Sequence, residues 1–266
     1  MSTENNRNNC IGVFDSGVGG LSVLAHIRAR LPHESLHYVA DTAWLPYGCK
    51  PEAVVAERVM RVGGFLADAG CKAIVVACNT ATAAAIQHLR DAHPIPVIGM
   101  EPGIKPAVEQ SPDGMVGILA TTATTASGRF RALQQRFAGS AELIVQPCPG
   151  LVEAIEEGDT ASNRIEAMLE GFLAPLLARG VDTLVLGCTH YPFVLPEIRR
   201  IAGEDVRIID TGEAIARRLQ QQLHAHGLEA EPGLPTSYSF HATGSANEAL
   251  MRRLWGSELT LEQLEL

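Results

Sequence analysis

Lysine is scarce in this chain: Lys50, Lys72 and Lys105 are the only three among 266 residues. None follows a strand in a setting that suggests a pyridoxal Schiff base, so no such cofactor is expected. No apolar run reaches the roughly 18 residues of a membrane span. The first residues, Met1 to Asn9, are polar and lack the apolar core of a signal peptide. They read as a short disordered tail, and the compartment expected is the cytoplasm. Basic charge is also short, since 21 Lys and Arg against 30 Asp and Glu leave a formal net charge of −9. With no basic cluster interleaved with aromatics, neither nucleic acid nor an anionic membrane is expected as a partner. The six cysteines, Cys10, Cys49, Cys71, Cys78, Cys148 and Cys188, include no CxxC pair. That pattern in a reducing compartment argues against a disulfide framework and for free thiols.

What is present is a globular composition, 46% hydrophobic and 19% charged, long enough for one large or two modest domains. Two stretches resemble each other. Ala73-Ile74-Val75-Val76-Ala77-Cys78-Asn79-Thr80 and Thr183-Leu184-Val185-Leu186-Gly187-Cys188-Thr189-His190 are both apolar runs of strand length. Each ends in a cysteine and small polar residues before a helical pattern begins. Ligands of open parallel α/β sheets bind at the carboxyl ends of strands. The chain therefore places two thiols at equivalent positions, 188 − 78 = 110 residues apart.

The remaining pattern alternates strand and helix. Cys10 to Phe14 reads as a strand, followed by the turn Asp15-Ser16-Gly17-Val18-Gly19-Gly20 and a helix over Leu21 to Arg30. Leu36 to Ala40 is a strand, Pro51 to Ala69 a helix, and Thr80 to Ala92 the helix after Cys78. After a short strand at Pro96 to Gly99 the order repeats. It runs through strand Met115 to Ala120, helix Ser127 to Phe137, strand Leu143 to Val145 and helix Ala161 to Ala178. The Cys188 strand, strand Val206 to Ile209 and helix Glu213 to His224 follow. The expectation is an α/β protein of two pseudo-symmetric domains, each a mainly parallel sheet flanked by helices. The first comprises residues 1–98 and 210–266, the second 99–209, with the site in the cleft between them.

Two thiols facing one substrate would supply an acid/base group on each face of a carbon. An unperturbed thiol is about a tenth ionised at pH 7.5, and a helix starting just after the cysteine favours thiolate further. Cys10, Cys49, Cys71 and Cys148 lack such pairing and read as structural. The glycine turn offers backbone N–H groups to a carboxylate or phosphate, though it is not GxGxxG. His190 is placed to tune Cys188 or bind a carboxylate. Cys188 and His190 have no second pair to complete a zinc site, so no metal is expected. Glu153 lies in an apolar setting that would raise its pKa, and Tyr47-Gly48 forms a loop tip reaching into the cleft.

These residues are similar to those of the glutamate racemases of the aspartate/glutamate racemase superfamily. The resemblance rests on Asp15-Ser16-Gly17-Val18-Gly19-Gly20, Pro46-Tyr47-Gly48, Cys78-Asn79-Thr80, Leu151-Val152-Glu153 and Gly187-Cys188-Thr189-His190, in that order along essentially the whole chain. It implies interconversion of L- and D-glutamate without a cofactor, supplying D-glutamate for peptidoglycan. It also implies Cys78 and Cys188 as the two bases, assisted by Asp15, His190 and Glu153. Asp15, Ser16, Tyr47, Gly48, Asn79, Thr80, Thr121, Thr189 and His190 would hold the substrate. Members are often dimers, so a homodimer is the expected assembly. The chain departs from the family in a shorter segment between Cys148-Pro149 and Leu151. Its short tail also gives no sign of the extension by which some members respond to a cell-wall precursor. Other readings remain open here: racemisation of aspartate or a related acid isomerisation, a cysteine hydrolase built on Cys188, His190 and Glu153, a non-catalytic amino-acid-binding protein, and nucleotide binding at the glycine turn.

Overall fold

The computed structural model describes residues 7–137 and 139–266. Most of the expected disordered tail, residues 1–6, lies outside them. Among the described residues, ten strands form two parallel sheets. The first has the order β10-β9-β2-β1-β3-β4, with β1 at Ile11–Asp15, β2 at Leu36–Ala40, β3 at Ala73–Val76 and β4 at Val97–Gly99. Its outer strands β9, Tyr238–Ala242, and β10, Leu261–Gln263, come from the end of the chain. The second sheet has the order β6-β5-β7-β8, from β5 Met115–Ala120, β6 Glu142–Pro147, β7 Thr183–Gly187 and β8 Arg207–Ile209.

Four consecutive strands of the first sheet, β2-β1-β3-β4, are matched one for one by β6-β5-β7-β8. β1 is flanked by β2 and β3 as β5 is flanked by β6 and β7. Cys78 follows β3 and Cys188 follows β7, so the internal repeat puts the two thiols at equivalent strand ends. Asp15 closes β1 where Thr121 follows β5.

Helices cover both faces of each sheet, which is why the central strands are apolar throughout instead of alternating. In β1, Ile11 and Val13 face α1 (Leu21–Arg30), α10 (Gly212–His226) and α11 (Glu248–Trp255). Phe14 faces the opposite way, toward α2 (Glu52–Asp68) and α3 (Asn79–Ala92). The buried residues Val55, Val59, Val62 and Leu66 give α2 the helical spacing of a single apolar stripe. In the second sheet, Leu184 and Leu186 pack on α7 (Leu151–Glu156) and α8 (Asn163–Leu177), whereas Val185 meets α4 (Ile104–Gln110) and α6 (Gly128–Phe137). Each fully buried aliphatic side chain contributes about 1.5–3 kcal/mol, so both sheets are anchored well behind their carboxyl ends. Among the described residues, no helix is long and apolar enough to cross a membrane.

Two details of the secondary structure differ from the sequence expectation. The polar turn after β5 is itself a short helix, α5 (Thr122–Ala126), capped by Thr121 Oγ1 accepting from the Thr124 N–H. α7 is a separate helix ahead of α8. Both are five or six residues long, below what hydrophobic period can resolve.

Candidate active site

A cavity of about 450 Å³ opens where the carboxyl ends of the two sheets face each other. Cys78 and Cys188 both line it, each about 6% exposed. Ser16, Tyr47, Gly48, Asn79, Thr80 and Thr121 line it too, as do Glu153, Thr189 and His190. The fold thus brings together every residue singled out from the sequence except Asp15, which does not reach the wall. Asp15 is fully buried one layer behind, where Oδ1 accepts from the Gly17 N–H at 2.9 Å and Oδ2 from Thr189 Oγ1 at 2.8 Å. It thereby holds Thr189, which does line the cavity. Burial raises its carboxyl to about 6, against the pull of the nearby His190 charge.

The two sulfurs occupy unlike surroundings. Cys78 sits at the N-cap of α3, where its sulfur accepts from the Ala81 N–H at 3.5 Å. Burial, followed by the Asp15 charge, nevertheless pushes its thiol up, so Cys78 rests protonated. Cys188 has an imidazole instead: His190 Nδ1 lies 3.7 Å from its sulfur. His190 Nε2 is 2.6 Å from Glu156 Oε1 in a pair almost sealed from water. Burial works against the charged imidazole, but its bonds to Cys188 and Glu156 outweigh that and raise it well above the ordinary histidine value. One thiol therefore faces a buried anion and the other an imidazolium.

The carboxylate on His190 is Glu156, a residue the sequence did not single out. Both lie on α7, one turn apart and so on one face. Glu153, in the first turn, reaches the cavity wall, whereas Glu156, the last residue of the helix, reaches back beneath His190. Two glutamates spaced i, i+3 were the available signal, with nothing to choose between them.

The glycine turn does bind a carboxylate, and that carboxylate is the protein's own. The Val18 N–H donates to Glu156 Oε1 at 2.7 Å. A Cβ on Gly17 would overlap that same oxygen, and one on Gly19 would overlap His190 Nδ1 and Thr189 Oγ1. The turn is glycine-rich because the second domain's site residues press directly on its backbone. Ser22 Oγ, at 2.8 Å from the Gly19 carbonyl and 2.9 Å from the Thr189 carbonyl, fastens the same junction.

Polar groups around the rest of the cavity fall into two kinds. The Thr80, Thr121 and Thr124 hydroxyls form a mutual cluster at 3.0–3.1 Å that links the two domains. Asn79, by contrast, is buried on the cavity wall with both its amide nitrogen and its oxygen unpartnered. An orphaned buried amide costs about 1–3 kcal/mol, and a ligand in the cavity would satisfy it. Tyr47 lines the cavity with its hydroxyl already committed, donating to Asp41 Oδ2 at 2.5 Å. Arg58 and Thr243 hold the same carboxylate. The Tyr47 ring and Gly48 therefore shape the wall, and the hydroxyl fixes the loop. Cys148, read from the sequence as structural, also lines the cavity, and burial pushes its thiol up to about 12.

Comparison with known proteins agrees with this architecture. Residues 21–219 match the family described as Asp/Glu/Hydantoin racemase. The sequence is 50% identical over 262 residues to a glutamate racemase of Pseudomonas paraeruginosa, covering 96% of this chain and 97% of that one. The structure superposes on a glutamate racemase isoform from Bacillus anthracis with a TM-score of 0.87 at 34% identity, over 98% of both chains. It superposes on the Francisella tularensis glutamate racemase in complex with D-glutamate with a TM-score of 0.85 at 30% identity, over 97% of this chain and 98% of that one.

Proposed function

The chain belongs to the Asp/Glu/Hydantoin racemase family, and on that premise we propose that it racemises glutamate by a two-base proton transfer between Cys78 and Cys188. The observation that carries this reading is the pair of thiols at equivalent strand ends lining one cavity. The relatives' shared activity makes the protein an isomerase, an amino-acid racemase.

In the proposed reaction the substrate lies between the sulfurs. A thiolate on one face removes the α-proton, and the thiol on the other face delivers a proton to the same carbon, inverting it. The enzyme emerges with the two protonation states exchanged. The α-proton of an amino acid is weakly acidic, so the carbanionic transition state needs donors placed around the α-carboxylate. Asn79, Ser16, Thr80, Thr121 and Thr189 are our candidates, with Asn79 foremost because its amide has no partner within the protein. Asp15 and the Glu156–His190 pair act through the cysteines: the first adds its charge to the burial that holds Cys78 protonated at rest, the second offers a cation to Cys188. This inequality suits a first proton removal by Cys188, the base the family resemblance assigns to L-glutamate. Each positioned acid/base group contributes on the order of 10² to 10⁴ in rate.

The chain crosses between the two sheets near Gly99 and Asp210, and we place the hinge that closes the cavity there. Closure would exclude water from the carbanion. On the same reading no cofactor is needed, and the product serves peptidoglycan synthesis in the cytoplasm. The reading is tested by measuring Cys78→Ala and Cys188→Ala variants in both directions. Racemisation by both at the wild-type rate would end it. A cysteine hydrolase would find Cys188, His190 and Glu156 in a suitable row, but it leaves Cys78 and Asn79 without work and predicts an acyl-enzyme burst.

A further inference from the structure

The amino-terminal end of the first sheet, the end away from the cavity, holds a second cluster of thiols. Cys10 precedes β1, Cys71 precedes β3, and His37 lies in β2 on the far side of β1. The Cys10 and Cys71 sulfurs are 3.5 Å apart, and those two sulfurs and a ring nitrogen of His37 all lie within 4.8 Å of one another. Ile11 and Ala73 are paired across β1 and β3, and the Lys72 N–H donates to the Cys10 carbonyl at 3.0 Å, so both cysteines stand on fixed backbone.

His37 reaches Cys71 across β1 because the residue between them is Gly12. In register, His37, Gly12 and Ile74 stand side by side, and a Cβ on Gly12 would come within 3.1 Å of Cys71 Sγ. Glycine inside a central strand weakens it and marks close approach of another group. The imidazole is braced by the edge of Phe65 and by the His241 ring at 4.7 Å, yet its Nε2 is buried with no hydrogen-bond partner. Ordinary packing leaves that nitrogen unexplained.

We propose that Cys10, Cys71 and His37 form a binding site for one thiophilic d¹⁰ cation, zinc being the natural candidate. Zinc bonds thiolate at about 2.3 Å, which in a tetrahedron sets two sulfurs about 3.8 Å apart, a few tenths of an ångström from the spacing found. Binding releases the two thiol protons to solvent, and two thiolates with Zn²⁺ and a neutral imidazole are uncharged together, which suits a buried place. The neighbouring ion pair of Lys72 with Glu34 at 2.5 Å is already balanced, so it neither repels the cation nor competes for it. Cys10 and His37 are half-buried, which gives the ion a way in, and a water completes the fourth position at that edge. The site would staple β1, β2 and β3 at their starts, about 16 Å along β1 from the cavity by the strand rise. It has no part in the racemisation.

The test titrates the reduced, chelator-treated full-length protein with Co²⁺, followed by Zn²⁺. A thiolate-to-cobalt charge-transfer band that saturates at one equivalent and is displaced by Zn²⁺ is expected. So is a rise in Tm of several degrees with Zn²⁺. Cys10→Ser and His37→Gln should each weaken Co²⁺ binding by at least about 10-fold, as loss of a ligand requires. The Cys78→Ala/Cys188→Ala double variant should keep the band. Absence of the band in the wild-type protein overturns the proposal. Its survival in both ligand variants, or its loss in the double variant, does so equally. Circular dichroism of the metal-free variants reports folding, and His37→Gln carries the test where Cys10→Ser does not fold.

Discussion

His190 and Glu156 form a buried pair, Nε2 to Oε1 at 2.6 Å, on the side of His190 away from Cys188. In the proposed mechanism Glu156 thus completes a row, sulfur to imidazolium to carboxylate, that holds the cation beside Cys188. The Val18 N–H closes the row from the other domain.

Glu156→Gln should keep the fold and lower kcat by about 10²-fold, the lower range for a group supporting acid/base chemistry. Glu153→Gln should cost less than about 10-fold. The His190 pKa is raised in the folded state, so the pair's stabilisation is full below the unfolded histidine value and is lost as pH rises through the raised one. Initial rates in both directions, with thermal unfolding from pH 6 to 9, check both statements. The alkaline decline in stability should start at lower pH in Glu156→Gln.

Asp15→Asn should separate stability from activity. The Asp15 carboxyl is raised from 3.8 to about 6, so the folded state holds its proton more tightly than the unfolded chain does. Its contribution is fully present below about 4 and is lost as pH rises through about 6. Asparagine can keep the Gly17 and Thr189 contacts without the buried charge. The variant should gain about 1–3 kcal/mol at pH 7 and nothing at pH 3.5, while racemisation falls. Urea unfolding at the two pH values measures the difference.

Much of this was legible in the sequence, and the rest fails for physical reasons. The Cys78 and Cys188 strands announce themselves because a buried parallel strand must be apolar to its end and polar just beyond. Their equivalence follows from the internal repeat. Glu156 was not legible, because it sits one turn from Glu153 on a helix of six residues. Nor was the commitment of the Tyr47 hydroxyl, since Asp41, Arg58 and Thr243 meet it from three separate segments. Gly12, Gly17 and Gly19 are visible as glycines, but the groups pressing on them come from elsewhere in the chain.

Gly19→Ala tests the junction of the domains. The new methyl would overlap His190 Nδ1 and Thr189 Oγ1, neither on a freely moving side chain. A loss of about 1–3 kcal/mol in stability is expected, with a larger fall in kcat than in affinity for substrate. Chemical denaturation and steady-state kinetics on one preparation give both values.

Asn79→Ala should leave stability unchanged or improved, because it removes an unpartnered buried amide. If that amide holds the substrate, KM for glutamate rises about 10-fold, the worth of one hydrogen bond to a charged group. A stability loss without a change in KM would assign Asn79 to the fold instead.

The central claim is a proton exchanged at the α-carbon by two thiols, and one measurement reaches it most directly. Purified protein is incubated with D-glutamate in D₂O, without added cofactor, while optical rotation and the α-proton resonance are followed together. The account predicts inversion with deuterium entering the L-product, and little or no reaction with aspartate. Absence of both inversion and exchange with either acid would contradict it.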